Sequence, residues 1–330
     1  MTPDLSDLDS GTSDAGGFMP YVSVIVPVYN GEADLPGLIQ CLLTQTYPAP
    51  QVEYLLVDNA SRDRTLEMVQ AAAIDARAKG ITLHALSEAQ IQSSYAARNR
   101  GIRTAKGEIL AFTDADCRPQ PNWLQALVQP FTDAAVGLVA GEVAALPGTT
   151  LLEQFADRTD TLSQKHTLAH PFCPYGQTAN LAIRRAALQT VGLFRPHLTT
   201  GGDADICWRI LKQTAWTIHF AAGAIVQHRH RSTWQDLEKQ WRRYGQSNRY
   251  LHELHGVNLT PDLTQRDSLY RWSRWLLKEL PIASTKLVAG KAGFVDLVST
   301  PIGLTCGRAR ATGQREATLP EAAREIEWLE

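Results

Sequence analysis

The chain has 330 residues, of which 44% are hydrophobic, and this is enough to bury one large α/β core, alone or with a helical appendage. Its 32 basic and 34 acidic residues give a formal charge of -2, which excludes a global electrostatic attraction to nucleic acid. The five cysteines are scattered and lack the paired spacing of a zinc site or a disulfide framework, which predicts reduced cytosolic thiols.

The N-terminal segment and the hydropathy of the chain bear on its location. Residues 1–19 carry four aspartates among Ser, Gly and Thr, opposite to the pattern of a secretory signal, and we expect a disordered lead. No stretch reaches the roughly 20 apolar residues that span a bilayer, since lysines, Asp296 and Pro301 interrupt 281–306. We expect a cytoplasmic protein, either free or peripherally bound at the cytoplasmic face of the membrane.

The first 120 residues alternate between apolar runs and stretches of helical spacing. The apolar runs lie at 22–28, 54–57, 81–86 and 109–112, and a helix is predicted after each of the first three. This alternation predicts a mostly parallel sheet with helices on its faces. Because ligands of such sheets bind beyond the carboxyl ends of the strands, the polar residues directly after these runs form the candidate site.

The second half is less regular, with apolar segments at 136–143, 181–183, 216–220 and 224–226. These segments predict a mixed sheet. Residues 232–255 predict one long helix rich in Trp, Arg and Gln, and a second helical segment follows at 269–280 before a tail of low periodicity.

The triplet Asp114-Ala115-Asp116 directly follows the apolar run at 109–112. Two carboxylates at this spacing can approach one divalent cation, which in turn bridges the oxygens of a diphosphate. A chain of this composition contains about one such triplet by chance. This chain has three, at Asp7/Asp9, Asp114/Asp116 and Asp203/Asp205. The position after a buried strand favours a metal role for Asp114 and Asp116 over simple turn chemistry, with Mn2+ or Mg2+ as the expected ion.

Four segments together resemble glycosyltransferase family 2, because both their order and their spacing match. They are Val26-Pro27-Val28-Tyr29-Asn30, Val57-Asp58-Asn59-Ala60-Ser61-Arg62-Asp63, Ala97-Arg98-Asn99-Arg100-Gly101 and Phe112-Thr113-Asp114-Ala115-Asp116. The resemblance covers roughly residues 20–250 and extends through 202–205 and 228–245. It implies the GT-A fold, in which a nucleotide-binding parallel sheet is continuous with an acceptor-binding half. It also implies transfer of activated sugars without a covalent enzyme intermediate.

The resemblance and the element pattern together predict the domain organisation. A GT-A domain is expected at 20–255, with a nucleotide-binding half at 20–120 and an acceptor half at 121–255. It lies between the lead at 1–19 and a helical C-terminal extension at 256–330.

The resemblance implies a donor site for a nucleoside diphosphate sugar, with UDP as the expected nucleotide and GDP and dTDP left open. Carried over residue by residue, it assigns to donor binding Pro27, Tyr29, Glu32, Asp58, Arg98 and Asp114. Tyr29 and Glu32 are expected near the base and ribose, and Asp58 is expected to accept a hydrogen bond from the nucleobase. Alternatively, Asp58 only caps the turn before the helix near Thr65. Arg98 is expected at the diphosphate, whose oxygens suit a guanidinium.

The resemblance also implies a catalytic base. The family carries a Glu-Asp pair where this chain has Gly202-Asp203, so Asp203 keeps the matched position and is the expected base. One carboxylate is enough to take a hydroxyl proton, but the departure at Gly202 leaves acceptor positioning open. Alternatively, Asp203 and Asp205 only supply favourable negative charge at the start of a helix at 206–212.

His228 and His230 follow the apolar run at 224–226, and alternate residues on a strand face the same side. Enzymes of the resembled fold often draw a metal ligand from this late strand, so His228 is expected to complete the metal shell with Asp116 and Asp114. Whether His228 or His230 binds stays open, as does the alternative of surface histidines in a basic turn.

The helix predicted at 232–255 carries a group of aromatic and basic side chains, namely Trp234, Trp241, Arg242, Arg243 and Tyr244. The rings can stack against an acceptor and the arginines can clamp a leaving diphosphate. The alternative is ordinary packing.

Residues 268–310 predict a peripheral membrane contact. Apolar and basic side chains interleave there, at Arg271, Trp272, Arg274, Trp275, Leu276, Lys278 and Leu280, which suits an interfacial helix. The alternative is packing of the same tryptophans on the catalytic domain.

The resemblance implies a glycosyltransferase of polysaccharide biosynthesis. Asp114 and Asp116 at a strand end predict metal dependence, and a base near 203 with electrophilic help near 114, in separate segments, predicts inversion of the anomeric configuration. The expected acceptor is a cell-surface glycan, a lipid or a small-molecule hydroxyl, and no nucleic acid is expected as a partner. Two alternatives stay open, a nucleotidyltransferase of similar fold and a noncatalytic sugar-binding relative. The first would need a Gly-rich loop with a basic residue after the first strand, where this chain has Pro27-Val28-Tyr29-Asn30-Gly31.

Overall fold

The computed structural model describes residues 18–262 and 264–329, so the expected disordered lead lies outside the described residues except for its last two positions. Within these ranges eight strands form one sheet, namely β1 Val22–Val28, β2 Val52–Asp58, β3 Thr82–Ser87, β4 Ile109–Thr113, β5 Cys117–Pro119, β6 Val136–Ala145, β7 Asn180–Arg184 and β8 Thr217–His228. Their order across the sheet is β3-β2-β1-β4-β7-β6-β8-β5. The predicted α/β class with a mostly parallel central sheet is confirmed.

The first four strands of that order, β3, β2, β1 and β4, are parallel to one another. β1 is buried along its whole length and rich in Val, which suits a strand that is covered on both faces. Its register with β2 sets Val28 beside Asp58. The carboxyl ends of β1, β2 and β4 therefore lie at the same edge of the sheet, where ligands of parallel sheets bind.

The other half of the sheet is mixed, because β7 is antiparallel to β4 and β6 while β8 is parallel to β6. The two segments predicted at 216–220 and 224–226 are one strand, β8. Residue 221 pairs with Gly141 and residue 225 pairs with Glu142, so three residues of β8 bulge between them. The residues between the two segments, at 221–223, are small, and they gave no apolar signal that would have joined them.

The helices cover both faces of the sheet, as the two large core clusters show. They are α1 Leu35–Leu43, α2 Thr65–Ala78, α3 Ser94–Thr104, α4 Trp123–Val128, α5 Leu151–Arg158, α6 Gln164–Leu168, α7 Arg185–Val191, α8 Gly202–Gln213, α9 Trp234–His255, α10 Gln265–Arg274, α11 Leu280–Val288 and α12 Phe294–Glu316. Short 3-10 turns lie at Ala49–Gln51, Gln129–Thr132 and Glu321–Arg324, and a π-helical turn at Trp275–Glu279 joins α10 to α11. The long helix predicted at 232–255 is thus present as α9.

The C-terminal part contains a 23-residue helix, α12, where the sequence predicted a tail of low periodicity. Pro301 and several glycines interrupt its apolar spacing, which explains the missed prediction. Gly313 of α12 and Gly245 of α9 have a structural reason, since the two helices cross with their backbones in close contact. A Cβ at Gly245 would lie 1.9 Å from the carbonyl oxygen of Arg310, and a Cβ at Gly313 would lie 2.0 Å from that of Arg242.

Among the helices of the described residues, none combines the length and the apolar character needed to cross a membrane.

Candidate active site

A cavity of about 470 Å3 opens at the carboxyl ends of β1, β2 and β4. Its wall includes Pro27, Tyr29, Asn59, Arg98, Asp114 and Asp116. Tyr29 is half exposed and lies at the rim, whereas Arg98 is buried. We refer to this space as the strand-end cavity.

A second cavity of about 560 Å3 lies between α8, α9 and the segment before β7. Its wall includes Tyr95, Tyr175, Gln177, Asp203, Gln240 and Tyr244. We refer to this space as the helix-side cavity. The two cavities share four wall residues, Asp114, His228, Arg231 and Arg243. Ligands in the two cavities would therefore meet at these residues.

Arg98 is a buried cation beside Asp114. The Ser93 side chain accepts a hydrogen bond from Tyr95 N at 3.2 Å and fixes the start of α3, which carries Arg98 in its second turn. Arg98 Nη2 donates to Asp114 Oδ1 at 2.6 Å. The buried Arg98 Nε has no partner in the described part of the chain. A guanidinium at a cavity wall suits an anionic ligand.

Asp116 and His228 are brought together because β5 pairs with the end of β8. His228 Nε2 lies 3.2 Å from Asp116 Oδ1, and Arg231 Nη1 lies 3.7 Å from Asp116 Oδ2. His228 is buried, and its Nδ1 has no partner among the described residues. A carboxylate and an imidazole in contact form a donor set that a divalent cation accepts.

Cys117 completes a group with Asp116 and His228 in which the ligand atoms lie within 4.8 Å of one another. Burial raises the pKa of the Cys117 thiol well above its usual value, and the charges of Asp114 and Asp116 raise it further. Its sulfur lies 3.8 Å from the carbonyl oxygen of Ala179. The group that fits a cation is therefore Asp116 with His228. Asp114 lies outside this group, with its carboxylate on Arg98.

His230 lies in a different environment from His228. It is buried, and burial followed by the neighbouring His228 lowers its pKa to about 4. It lines a separate cavity of about 200 Å3 behind the site. The geometry thus sets His228, and not His230, beside Asp116.

Two expected donor residues do not line the strand-end cavity. Asp58 is buried, and its Oδ1 accepts a hydrogen bond from Ser61 N at 3.3 Å, which is the turn contact of the alternative interpretation. Glu32 accepts from Arg64 N at 3.3 Å. The nucleobase and ribose roles of Asp58 and Glu32 stay predictions.

Asp203 lies in the first turn of α8 and on the wall of the helix-side cavity. Thr178 Oγ1 donates to its Oδ1 at 2.9 Å. Burial raises the pKa of Asp203, Arg98 opposes this shift, and the charge of Asp114 adds to it. A carboxylate with a raised pKa is a stronger base than an exposed one.

Asp205 is fully buried and faces away from both cavities into an ion cluster. Its oxygens lie 3.0 Å from Arg195 Nε, 3.0 Å from Arg209 Nη2 and 2.9 Å from His255 Nε2. Burial alone would raise the pKa of Asp205, but the hydrogen bond from His255 and the two arginine charges lower it to about 2. Asp205 thus ties α8 to the end of α9.

The aromatic residues of α9 divide between packing and the site. Trp241 packs against Tyr244, with ring centroids 5.5 Å apart, and joins the cluster between α9 and α12. Trp234 is exposed. Arg243 lines both cavities and donates to the carbonyl oxygen of Thr199 at 3.0 Å.

Sequence reasoning missed Asp34 at the wall of the strand-end cavity. Its carboxylate lies 2.5 Å from Arg229 Nη2 and 3.4 Å from Arg118 Nη2. An acid at the N-cap of the first helix, Leu35–Leu43, was the available signal. Its basic partners lie far along the chain, so the sequence did not indicate the contact.

The chain is similar in sequence to known glycosyltransferases. Residues 23–192 match the sequence model of glycosyl transferase family 2, and residues 109–294 match that of glycosyl transferase family group 2. Glycosyltransferase AglE of Haloferax volcanii is 36% identical over 228 residues, which cover 68% of this chain and 72% of that protein. The pre-mycofactocin glycosyltransferase of Mycobacterium tuberculosis is 25% identical over 256 residues, or 76% of this chain, which spans about half (52%) of that relative.

One similar solved structure is a mannosyltransferase from Pyrobaculum calidifontis in complex with GDP-Man and Mn2+. It superposes with a TM-score of 0.62 and 20% identity over 91% of this chain and 88% of the other. At this identity the likeness shows a shared fold.

Proposed function

This chain belongs to glycosyl transferase family 2, and on that premise we propose that it is an inverting, metal-dependent enzyme that moves a sugar from a nucleoside diphosphate sugar to an acceptor hydroxyl. The observation that carries the proposal is the meeting of two cavities at Asp114, His228, Arg231 and Arg243. A donor in the strand-end cavity and an acceptor in the helix-side cavity would have their reacting atoms at this junction.

The donor is a nucleotide sugar whose diphosphate lies against Arg98. The Arg98 guanidinium lines the strand-end cavity and supplies positive charge for the diphosphate. UDP is the proposed nucleotide, with GDP and dTDP as competitors in a test. A thermal-shift panel of nucleotide sugars with Mn2+ ranks them, because a ligand that binds the native state raises the unfolding temperature.

The contact between Asp116 Oδ1 and His228 Nε2 supports a cation site, and these two residues would hold Mn2+ or Mg2+. The unpartnered Nδ1 of a buried His228 offers a second nitrogen if the ring turns. A bound cation would offset the negative charge of the diphosphate. Saturating EDTA is expected to abolish transfer and excess Mn2+ to restore it, and full activity in EDTA would overturn the metal dependence.

Transfer proceeds in one displacement with Asp203 as the base. The proton of the acceptor hydroxyl goes to an Asp203 carboxylate oxygen, and the acceptor oxygen forms a bond to the anomeric carbon. The bond from that carbon to the phosphate oxygen breaks, and its electron pair stays on the diphosphate, which Arg98 stabilises. Attack on the face opposite the leaving group inverts the anomeric configuration.

The anomeric NMR coupling of the product tests this mechanism. Inversion together with release of nucleoside diphosphate supports it, whereas retention overturns the role of Asp203. Pyrophosphate release would indicate the nucleotidyltransferase alternative. Absence of both transfer and donor hydrolysis across the nucleotide-sugar panel would indicate a noncatalytic relative.

We also propose peripheral contact with an anionic membrane through the part of the C-terminal extension at 265–294. Eight of the fifteen exposed large apolar side chains of the described residues lie here, at Leu269, Tyr270, Trp272, Leu276, Leu277, Ile282, Val288 and Phe294. The same part carries six basic and two acidic residues. Apolar area with net positive charge suits the interface of an anionic bilayer. One tryptophan, Trp275, instead donates to Leu297 O at 2.8 Å and packs inward.

Flotation with vesicles of phosphatidylglycerol and phosphatidylcholine tests the membrane contact. The double variant Leu276→Glu with Leu277→Glu is expected to lower the vesicle-bound fraction roughly tenfold or more. Both leucines are exposed, and the glutamates that replace them would not insert into the lipid interface. Ile74→Glu is the matched control, because Ile74 is 72% exposed on α2. A wild-type chain that does not float, or an Ile74 variant that loses binding equally, would overturn the contact.

A further inference from the structure

Tyr95 is fixed against the segment that carries Asp203. It lies in the first turn of α3, is 5% exposed, and stacks on Phe194 with ring centroids 5.6 Å apart. Its hydroxyl oxygen accepts a hydrogen bond from Gly202 N at 2.9 Å. Because Asp203 is the next residue, the phenol hydroxyl and the Asp203 carboxylate lie on the same wall of the helix-side cavity.

Gly202 is required here by space. A Cβ at this position would lie 2.7 Å from both Cε1 and Cζ of the Tyr95 ring, closer than real Cβ atoms approach. Gly202 is not among the glycines with positive φ, so its backbone conformation is open to other residues. The Tyr95 ring therefore leaves no space for a side chain at residue 202. Because residue 202 is glycine, the ring can form part of the wall of the helix-side cavity.

The hydroxyl of Tyr95 keeps its proton. Burial raises the pKa of Tyr95 well above its usual value of 10.0, and the charge of Asp203 raises it further. The oxygen accepts from Gly202 N, and no hydrogen bond donated by this O–H is found among the described residues. The cavity wall thus presents a free donor, the Tyr95 hydroxyl, near an acceptor, the Asp203 carboxylate.

We propose that Tyr95 is an acceptor-binding residue that selects a sugar with two neighbouring hydroxyls. The hydroxyl that reacts donates to Asp203, and the oxygen of the adjacent hydroxyl accepts from Tyr95. This inference rests on the proposed function, because it takes the helix-side cavity as the acceptor site. Its volume of about 560 Å3 and its wall of Tyr175, Tyr244, Gln177 and Gln240 suit a small saccharide, which needs both ring contacts and polar contacts.

The role of Tyr95 is tested by a double-mutant-type cycle in which Tyr95→Phe is combined with removal of one hydroxyl from the acceptor. The probes are methyl pyranosides of mannose, glucose and galactose, each compared with its monodeoxy analogues. Wild type is expected to prefer the best intact pyranoside over the analogue that lacks the adjacent oxygen by roughly tenfold or more in kcat/KM, because that analogue leaves a buried donor unpaired. Tyr95→Phe is expected to remove this preference while affinity for UDP and Mn2+ stays unchanged.

Two controls separate this role from a structural one. Tyr47→Phe also deletes a buried phenol hydroxyl, which donates to Pro20 O at 2.6 Å outside the site, and it should keep the preference. Gly202→Ala should lower transfer to the intact pyranoside by displacing the Tyr95 ring.

The outcomes are distinct. If Tyr95→Phe keeps the wild-type preference, or if no methyl pyranoside is glycosylated by a chain that hydrolyses the donor, the acceptor assignment is wrong and the donor reaction stands. If no nucleotide sugar binds at all, the proposed function itself fails.

Discussion

Asp203 and Asp205 lie two residues apart, and we expect neutralisation of Asp205, but not of Asp203, to lower the stability of the fold. Asp205→Asn removes the charge that holds Arg195, Arg209 and His255 at a fully buried carboxylate. Removing one partner of a buried ion pair leaves the other charges uncompensated. We therefore expect the free energy of unfolding to fall by about 3–5 kcal/mol. This corresponds to a Tm lower by roughly 6–20 °C.

Asp203→Asn is the matched comparison. Asn keeps an oxygen for the hydrogen bond from Thr178 Oγ1. Because burial, and after it the charge of Asp114, raises the pKa of Asp203 in the folded state, its ionised form costs stability at neutral pH, where the unfolded chain ionises it freely. Neutralising Asp203 removes this cost. We expect the Tm of Asp203→Asn to equal or exceed that of wild type, while glycosyl transfer is lost.

Differential scanning calorimetry at pH 7 on the three proteins measures both effects, with urea unfolding as a second readout. The assignment of Asp205 as a structural ion is refuted if Asp205→Asn melts within about 2 °C of wild type, less than the shift expected for 1 kcal/mol. Equal losses of Tm in the two variants would refute the distinction between them.

Three further expectations concern the metal, the pH profile and the helix contact. Asp116→Ala should weaken Mn2+ binding in calorimetry by at least the roughly 10- to 100-fold typical of changes around a metal site, and unchanged binding would contradict the role of Asp116. Because the pKa of Asp203 is raised, this base is protonated, and kcat/KM falls, when the pH drops through a value above the usual pKa of 3.8. A kcat/KM that falls only at or below pH 3.8 would contradict this. Gly313→Ala should lower the free energy of unfolding by about 1–3 kcal/mol through overpacking against Arg242 O, whereas Gly303→Ala, with open space around its Cβ, should not. Equal Tm values for these two glycine variants would contradict the close helix contact.

The sequence predicted the elements of residues 20–120 well because their strands are apolar runs that alternate with helical spacing. Asp114 and Asp116 were singled out for that reason, since they directly follow the strand Ile109–Thr113, whereas Arg98, on helix α3, was singled out only through the family resemblance. The second half was harder to predict. Small residues at 221–223 divided the pattern of one strand, and Pro301 with the glycines of α12 obscured a long helix.

The roles of neighbouring acids depend on contacts that a single sequence does not contain. Asp203 and Asp205 share the same local pattern, and only the approach of Arg195, Arg209 and His255 from other segments separates them. The exclusion between Tyr95 and Gly202 likewise joins residues that lie 107 positions apart. Such long-range pairings decide the chemistry of the site, and local periodicity carries no information about them.

The close contact of α12 with α9 has a consequence for how this enzyme can be altered. One face of α9 presents Gln240 and Tyr244 to the helix-side cavity, and Gly245 on the same helix meets the backbone of α12. A substitution in α12 that shifts α9 therefore reshapes the helix-side cavity, the proposed acceptor site, without touching a ligand there. If this cavity binds the acceptor as proposed, acceptor preference can change through α12 while the strand-end cavity stays unaltered. A chain cut after residue 255 would lose the helix that supports the cavity.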